Sequence, residues 1–361
     1  MGLFRQRARL YTRIVMADRL GLVQPVVTAF FITTRCNAHC NYCYTDKGIA
    51  KRDEMTTRQI CDTVDGLVGM GTRIINLMGG EPLLRDDFPE ILRHIRARNI
   101  VCDVNTNCFL IEKHLDLLRT HATQLFTSLD GDEQAHDLNR GAGTFNKTVH
   151  GIRLARQAGI PVRINCTVTR HNADKIDFLI DFSERYNLFL TFTPLVRAHT
   201  GTLASTAALT PDDQEAKNIF QRIKAAKARS TRIMNSDAAL DYYIHYPVPF
   251  GTIVGRDETG LHRNYYTRTC PYGRLQFFVT SNGNVYSCHN MWNEPTYQPG
   301  NVLRQGVRDA IMQAHAGLTC KYCWLANLVE WNEFTTLPWL FKGIRMTLRQ
   351  MFERSQPGSG I

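Results

Sequence analysis

Three cysteines fall within eight residues in Cys36-Asn37-Ala38-His39-Cys40-Asn41-Tyr42-Cys43. A thiolate is a soft metal ligand, and three in a C-x3-C-x2-C loop can converge on one metal centre. Structural zinc and ordinary ferredoxin clusters take four protein ligands, so a triad points to an iron–sulfur cluster with one iron open to a ligand. Zinc completed by His39 and plain burial of three thiols are the competing readings, and polar Arg35, Asn37, His39 and Asn41 weigh against burial. Further along, Gly79-Gly80-Glu81-Pro82-Leu83 combines glycines that admit a ligand close to the backbone with an acid suited to an ammonium group. A second set, Cys270, Cys288 and the pair Cys320 and Cys323, adds four thiols, a number that suits a closed site and that tetrahedral zinc would satisfy. Cys61, Cys102, Cys108 and Cys166 fall at apolar positions, and most of them read as core packing.

The elements that must position these residues are legible in the hydrophobic pattern. Short β-branched or aromatic runs at 26–33, 73–79, 100–106, 124–130, 162–168 and 188–195 alternate with segments of helical spacing. Gly159 and Pro161 stop one helix and start the next strand. Strands alternating with helices imply a parallel sheet, here an α/β fold with a partial (β/α)6 TIM-like barrel and a small C-terminal cysteine-rich β-hairpin and helix module. The hairpin is signalled by Ser281-Asn282-Gly283-Asn284 between two short strands. The expected organisation is a basic amphipathic helix over 1–25, a barrel core over 26–230, a linker over 231–264, the cysteine-rich module over 265–330, and a second basic amphipathic helix with a tail over 331–361. In parallel sheets ligands bind at the carboxyl ends of strands, and the first cysteine loop follows the first strand directly.

With Cys36, Cys40, Tyr42 and Cys43 on a strand end and Gly79-Gly80-Glu81-Pro82 on the next, the chain resembles the radical S-adenosylmethionine (radical SAM) enzymes. That resemblance implies that the three cysteines hold a 4Fe-4S cluster whose open iron takes the amino and carboxylate groups of SAM. It implies further that Gly79, Gly80, Glu81 and Pro82 serve the SAM amino group. Ser128 in Ser128-Leu129-Asp130-Gly131 and Asn165 in Val162-Arg163-Ile164-Asn165 would serve its ribose and carboxylate. Asp130 is the weak candidate for a catalytic base. Thr106-Asn107-Cys108 departs from the Thr-Asn-Gly common in the family, which questions the local turn and leaves Cys108 as a packed or a substrate-facing thiol. The spacing of Cys270, Cys288, Cys320 and Cys323 is similar to the twitch domain, a shortened SPASM domain, and implies an auxiliary 4Fe-4S cluster. Sulfatase-maturing members carry an Asp after the second auxiliary cysteine, where this chain has His289, which argues against that activity.

The 361 residues, 43% hydrophobic and 21% charged, exclude a disordered or fibrous chain. An odd eleven cysteines fits a reducing compartment, and the start of the sequence has no signal-peptide pattern, so the expected location is cytoplasmic, with the membrane periphery as an alternative. The net charge of +10 favours anionic partners. The expected activity is reductive cleavage of SAM to a 5'-deoxyadenosyl radical that abstracts hydrogen from a peptide or small-molecule substrate, with flavodoxin or ferredoxin as electron donor. The arginine-rich apolar ends at 3–20 and 337–354 carry a second reading, a lipid or lipid-linked substrate at a membrane surface. A metal-stabilised binding protein is the non-enzymatic alternative, and nucleic acid is not an expected partner.

Overall fold

The computed structural model describes residues 2–43, 53–195, 206, 208–255, 265, 270–292, 294 and 296–334. Its first part runs α1 (Gly2–Arg19), β1 (Val27–Phe31), α2 (Thr57–Met70), β2 (Ile74–Met78), α3 (Phe88–Ala97), β3 (Val101–Asn105), α4 (Ile111–His121), β4 (Gln124–Ser128), α5 (Glu133–Arg140), α6 (Thr144–Gln157), β5 (Val162–Val168), α7 (Ile176–Arg185) and β6 (Phe189–Pro194). The second part runs α8 (Asp213–Lys227), α9 (Asp237–Ile244), β7 (Ile253–Gly255), β8 (Gln276–Val279), β9 (Asn284–Tyr286), β10 (Gly300–Asn301), α10 (Val302–Ala316), β11 (Cys320–Cys323) and α11 (Asn327–Phe334).

β1 to β6 pair in sequence order and in parallel, as in a partial barrel, and beyond β6 Leu190 makes one further parallel bridge to Ile233. β2, β4, β5 and β6 alternate in burial, while β1 is buried on both faces. Ile75, Leu77, Val104, Leu125 and Ile164 are buried on the helix side, each worth roughly 1.5–3 kcal/mol, while Asn165, Arg163 and Phe126 face the lumen and are half-buried. Helix starts are set by side-chain caps, Thr56 with Gln59 for α2, Asp132 for α5 and Asp212 with Glu215 for α8. Gly159, at φ +74°, turns the chain off the end of α6 and toward β5.

The cysteine-rich module is joined to the barrel more closely than the sequence pattern implied. The expected hairpin is β8 and β9, but β8 also pairs in parallel with β1, so among the described residues the sheet has nine strands in the order β10-β9-β8-β1-β2-β3-β4-β5-β6. The segment 231–264, read as a linker, contains α9 and β7; Tyr243 of α9 stacks on Phe220 of α8 at 4.2 Å, and β7 pairs with β11. Ile14 and Ala17 of α1 are buried with Val26 and Leu275, and Asp18 is ion-paired with Arg274. The apolar side of this helix is therefore used for docking on its own chain at these positions. The second basic segment, 337–354, lies outside the described residues. Among the described residues no helix is long and apolar enough to cross a membrane.

Candidate active site

Beyond β1 and β2 the two strand ends stay together. Gly80 N–H donates to Thr33 O at 2.8 Å and Glu81 N–H to Arg35 O at 2.7 Å. A Cβ on Gly79 would stand 2.5 Å from Thr33 O, and one on Gly80 2.3 Å from Arg35 O. The close approach that these glycines permit is thus to the chain's own cysteine-bearing segment. Glu54 fixes the same segment from the other side: Oε1 accepts from Thr33 Oγ1 at 2.8 Å and Thr34 N–H at 2.7 Å, and Oε2 is 3.7 Å from Arg85 Nη1. Arg85 is itself buried, donating to Ile32 O and bidentately to Asp87. Sequence reasoning missed Glu54, Arg85 and Asp87, because a charged residue near a turn carries no local sign that it is buried.

Cys36, Cys40 and Cys43 are each partly exposed on the loop that follows. Three donors approach two of their sulfurs: Ala38 N–H at 3.4 Å and Asn107 Nδ2 at 3.9 Å from Cys36, and Arg140 Nη1 at 3.8 Å from Cys40. Burial pushes the Cys36 thiol up to about 11, a cost for an isolated thiolate that a metal cation would offset. Asn107 is aimed by the turn Thr106-Asn107-Cys108. Cys108 adopts φ +69°, the left-handed conformation that a glycine would take, so the departure from Thr-Asn-Gly preserves the turn. Room for it comes from Gly151 on α6, where a Cβ would stand 2.2 Å from Cys108 O. Cys108 is buried, and hence is the packed thiol of the two alternatives.

Glu81 is fully buried. Its Oε1 accepts from Leu83 N–H at 3.1 Å and its Oε2 from Asn107 N–H at 2.7 Å, and burial lifts its carboxyl to about 7. Both oxygens are engaged by the chain, which departs from the expected part for this side chain toward a ligand ammonium. Pro82, also buried, opens the short 3-10 turn Pro82–Leu84.

Asp130, at the end of β4, is likewise fully buried and accepts from Tyr42 Oη, Arg140 Nε at 2.7 Å and Thr167 N–H at 3.1 Å. Arg140 lies over the Tyr42 ring at 5.2 Å. The carboxylate therefore orients the aromatic residue of the cysteine loop and the guanidinium beside Cys40, a geometry for positioning and not for proton abstraction from a substrate. Asn41 completes the attachment, its N–H and Nδ2 donating to Asn139 O and Leu138 O near the end of α5. Ser128 and Asn165 are register partners on β4 and β5, and Asn165 Nδ2 donates to Thr193 Oγ1 at 3.1 Å.

Cys270, Cys288, Cys320 and Cys323 line a single cavity together with Tyr272 and His289. Cys288 and Cys323 are buried, Asn290 Nδ2 is 3.6 Å from Cys323 Sγ, and burial pushes the Cys323 thiol up to about 12. Tyr242 Oη holds Cys323 O at 2.7 Å. Tyr272 and Cys288 belong to the same apolar cluster as Ala29 and Phe31, the lumen-facing residues of β1, and Phe31 packs edge-on against Trp292 at 4.8 Å. The second cysteine site and the barrel lumen thus share a wall. Among the described residues no three Cys, His, Asp or Glu side chains stand ready around one point for a single ion; the four thiols ring a space instead.

Residues 30–182 match the Radical SAM superfamily. The AdoMet-dependent heme synthase of Methanosarcina barkeri is 33% identical over 298 residues, 79% of this chain and 81% of that protein. The mycofactocin maturase MftC of Mycobacterium ulcerans is 27% identical over 303 residues, 83% of this chain and 77% of that protein. Among solved structures, Streptococcus suis SuiB bound to precursor peptide SuiA superposes with a TM-score of 0.63 at 16% identity, over 86% of this chain and 70% of that one. Native anSMEcpe with bound AdoMet gives 0.61 at 20% identity, over 81% and 83%. A triad of cysteines on a strand end, a Gly-Gly-Glu-Pro turn bonded to it, a parallel partial barrel and a relative one-third identical over four-fifths of the chain lead to one assignment: the chain belongs to the radical SAM superfamily of enzymes.

Proposed function

We propose that this enzyme modifies a peptide, using SAM and one 4Fe-4S cluster at Cys36, Cys40 and Cys43 and an auxiliary 4Fe-4S cluster at Cys270, Cys288, Cys320 and Cys323. The observation that carries the peptide reading is the 303-residue match to a maturase, longer than the barrel segment 26–230 and so not confined to it. The fold shared with SuiB, whose structure holds a precursor peptide, supports the same reading. When bound, cluster and SAM supply one-electron cleavage of SAM and a carbon-centred radical able to take hydrogen from an unactivated carbon. The protein's residues do the rest. Ala38 N–H, Asn107 and Arg140 offset thiolate charge at the first site; Asp130 positions Arg140 and Tyr42 for that purpose. Ser128 and Asn165 present a hydroxyl and an amide to SAM at the lumen rim, beside the turn made by Gly79, Gly80, Glu81 and Pro82. At the second site, four thiols lining one cavity can ligate a 4Fe-4S cluster or zinc, and the likeness of their spacing to the twitch domain favours the cluster.

Anaerobic reconstitution should bring about eight iron atoms per chain, as two 4Fe-4S clusters require. Dithionite with SAM should then release 5'-deoxyadenosine, and peptide extracts of cells with and without the protein should differ by a defined mass change. Stoichiometric zinc at the second site would remove the auxiliary cluster, and a mass change confined to non-peptide extracts would remove the peptide. A second reading, a tetrapyrrole substrate, is favoured by the 33% identity to the heme synthase, and the non-peptide extracts test it directly. The lipid reading loses support because Ile14 and Ala17 of α1 pack on the protein itself.

A further inference from the structure

Arg163 stands alone among the lumen residues of its row. Register places it beside Phe126, which pairs in turn with Asn105, and beside Phe189 on the other side. One step further along the strands come Ser128 and Asn165, at the rim. Its face is assigned by alternation, since neighbouring Ile164 is buried in the helix-side core while Arg163 is not. Thr191 Oγ1 accepts from both Nε at 3.0 Å and Nη2 at 2.6 Å, and the guanidinium lies 5.4 Å from the centre of the Phe126 ring. These contacts hold one edge of the fork and leave Nη1 without an acceptor among the described residues. No carboxylate among them lies within ion-pair distance. Asp103 and Glu330 act on it only through space, Asp103 accepting from Gln124 and Glu330 from Ser236 N–H. One row below, the buried side-chain oxygen of Asn76 has no donor among the described residues, so the same wall also offers an unused acceptor.

A half-buried guanidinium held by one edge, with the other edge open to the lumen, is built for a planar anion. We propose that Arg163 anchors a carboxylate of the substrate, carried by an acidic side chain or a chain terminus, beneath the SAM-facing rim of the barrel. The inference deepens the peptide reading and relies on it only for the source of the carboxylate. A carboxylate on Arg163 places the adjoining part of the substrate in the next row up, toward Ser128, Asn165 and the first cysteine loop.

Binding of N-acetylglutamate and N-acetylglutamine to the reconstituted full chain with SAM, followed by ligand-observed NMR, tests the anchor without any assumption about peptides. The wild type should prefer the acid by about tenfold or more, the range expected for hydrogen bonds to a charged group. Arg163→Gln should abolish the preference, and Thr191→Val, which frees the held edge, should reduce it several-fold; melting temperature and iron content verify that both variants fold. Equal or undetectable binding of the two probes by the wild type, or a preference surviving in Arg163→Gln, overturns the proposal. A hexapeptide pool made as free acids and as amides, with and without Glu, then separates a terminal from a side-chain carboxylate. Selection of the acid probe through Arg163 with no peptide retained supports the anchor and removes the peptide reading.

Discussion

The two cysteine sites solve opposite problems. Cys36, Cys40 and Cys43 stay partly exposed on a loop, and their surroundings are polar: Asn107, Arg140 and a main-chain N–H point at sulfur. Cys288 and Cys323 are buried, and their cavity is walled by Tyr272 and Tyr322. The first site uses its hydrogen bonds to hold a loop in place around three thiols, which under the proposed function would leave one iron of a cluster open; the second brings four thiols to one cavity. Cys270 and Cys320 are partly exposed like the first three thiols, so the two sites differ in thiol number and in the buried pair Cys288 and Cys323 rather than in exposure throughout.

The sharpest way to break this comparison is to delete ligands from each side. Alanine at Cys36, Cys40 or Cys43 should abolish 5'-deoxyadenosine release and remove about four iron atoms, since three ligands are already the minimum. Cys288→Ala should remove a similar amount of iron and most product, yet leave SAM cleavage measurable by chromatography. Equal loss of cleavage from both sides would erase the distinction.

Next in size is the support of the open loop. Asp130→Asn leaves the partly buried guanidinium of Arg140 without its fully buried carboxylate partner, a loss of about 3 kcal/mol, the low end for one partner of a buried pair. Chemical denaturation should show that loss, together with a lower iron content at the first site only. Gly80→Ala pushes a methyl group against Arg35 O, and should cost about 1–3 kcal/mol with the same selective loss of iron.

The smallest effect is a pH dependence centred on Glu81. Burial raises its carboxyl from 4.5 to about 7, so the folded chain binds more protons than the unfolded one between those values. Its contribution to stability is present below about 4.5 and is lost as pH rises through about 7. His136 and His289, lowered by burial from 6.5 to about 4, act with the opposite sign below 6.5. The readout is therefore the difference in melting temperature between wild type and Glu81→Gln, which should change between pH 5 and 8. A constant difference would mean that Glu81 titrates normally.

The strand scaffold that carries the open loop is local in sequence and was legible there. All six barrel strands fall within the segments read from the alternation, and the order of β1 to β6 follows from the helices between them. What was not legible depends on residues far apart. β8 joins β1 across more than two hundred residues, and a short apolar strand carries no mark of which edge it will meet. Glu54 and Arg85 are ordinary charged residues until the fold brings them to the cysteine loop, and Asn107 and Arg140, though they stand in family-like stretches, carry no sign of the sulfur each approaches. Asp130 and Glu81 were seen at the right strand ends, but burial turned both inward, to support the site from behind. Cys108 shows the limit of pattern matching: a residue other than glycine kept the glycine conformation because Gly151 on another helix gave it space.

The pairing of β8 with β1 also bears on how the chain is made. At about 5–20 residues per second, the ribosome needs on the order of 10–50 s to go from Phe31 to Gln276. During that interval the second edge of β1 has no partner, although β2 is already available on the other side. An open strand edge is a template for other chains. The hazard of misassembly during synthesis is therefore concentrated at β1, beside the first cysteine loop, and it ends when β8 arrives to cover it.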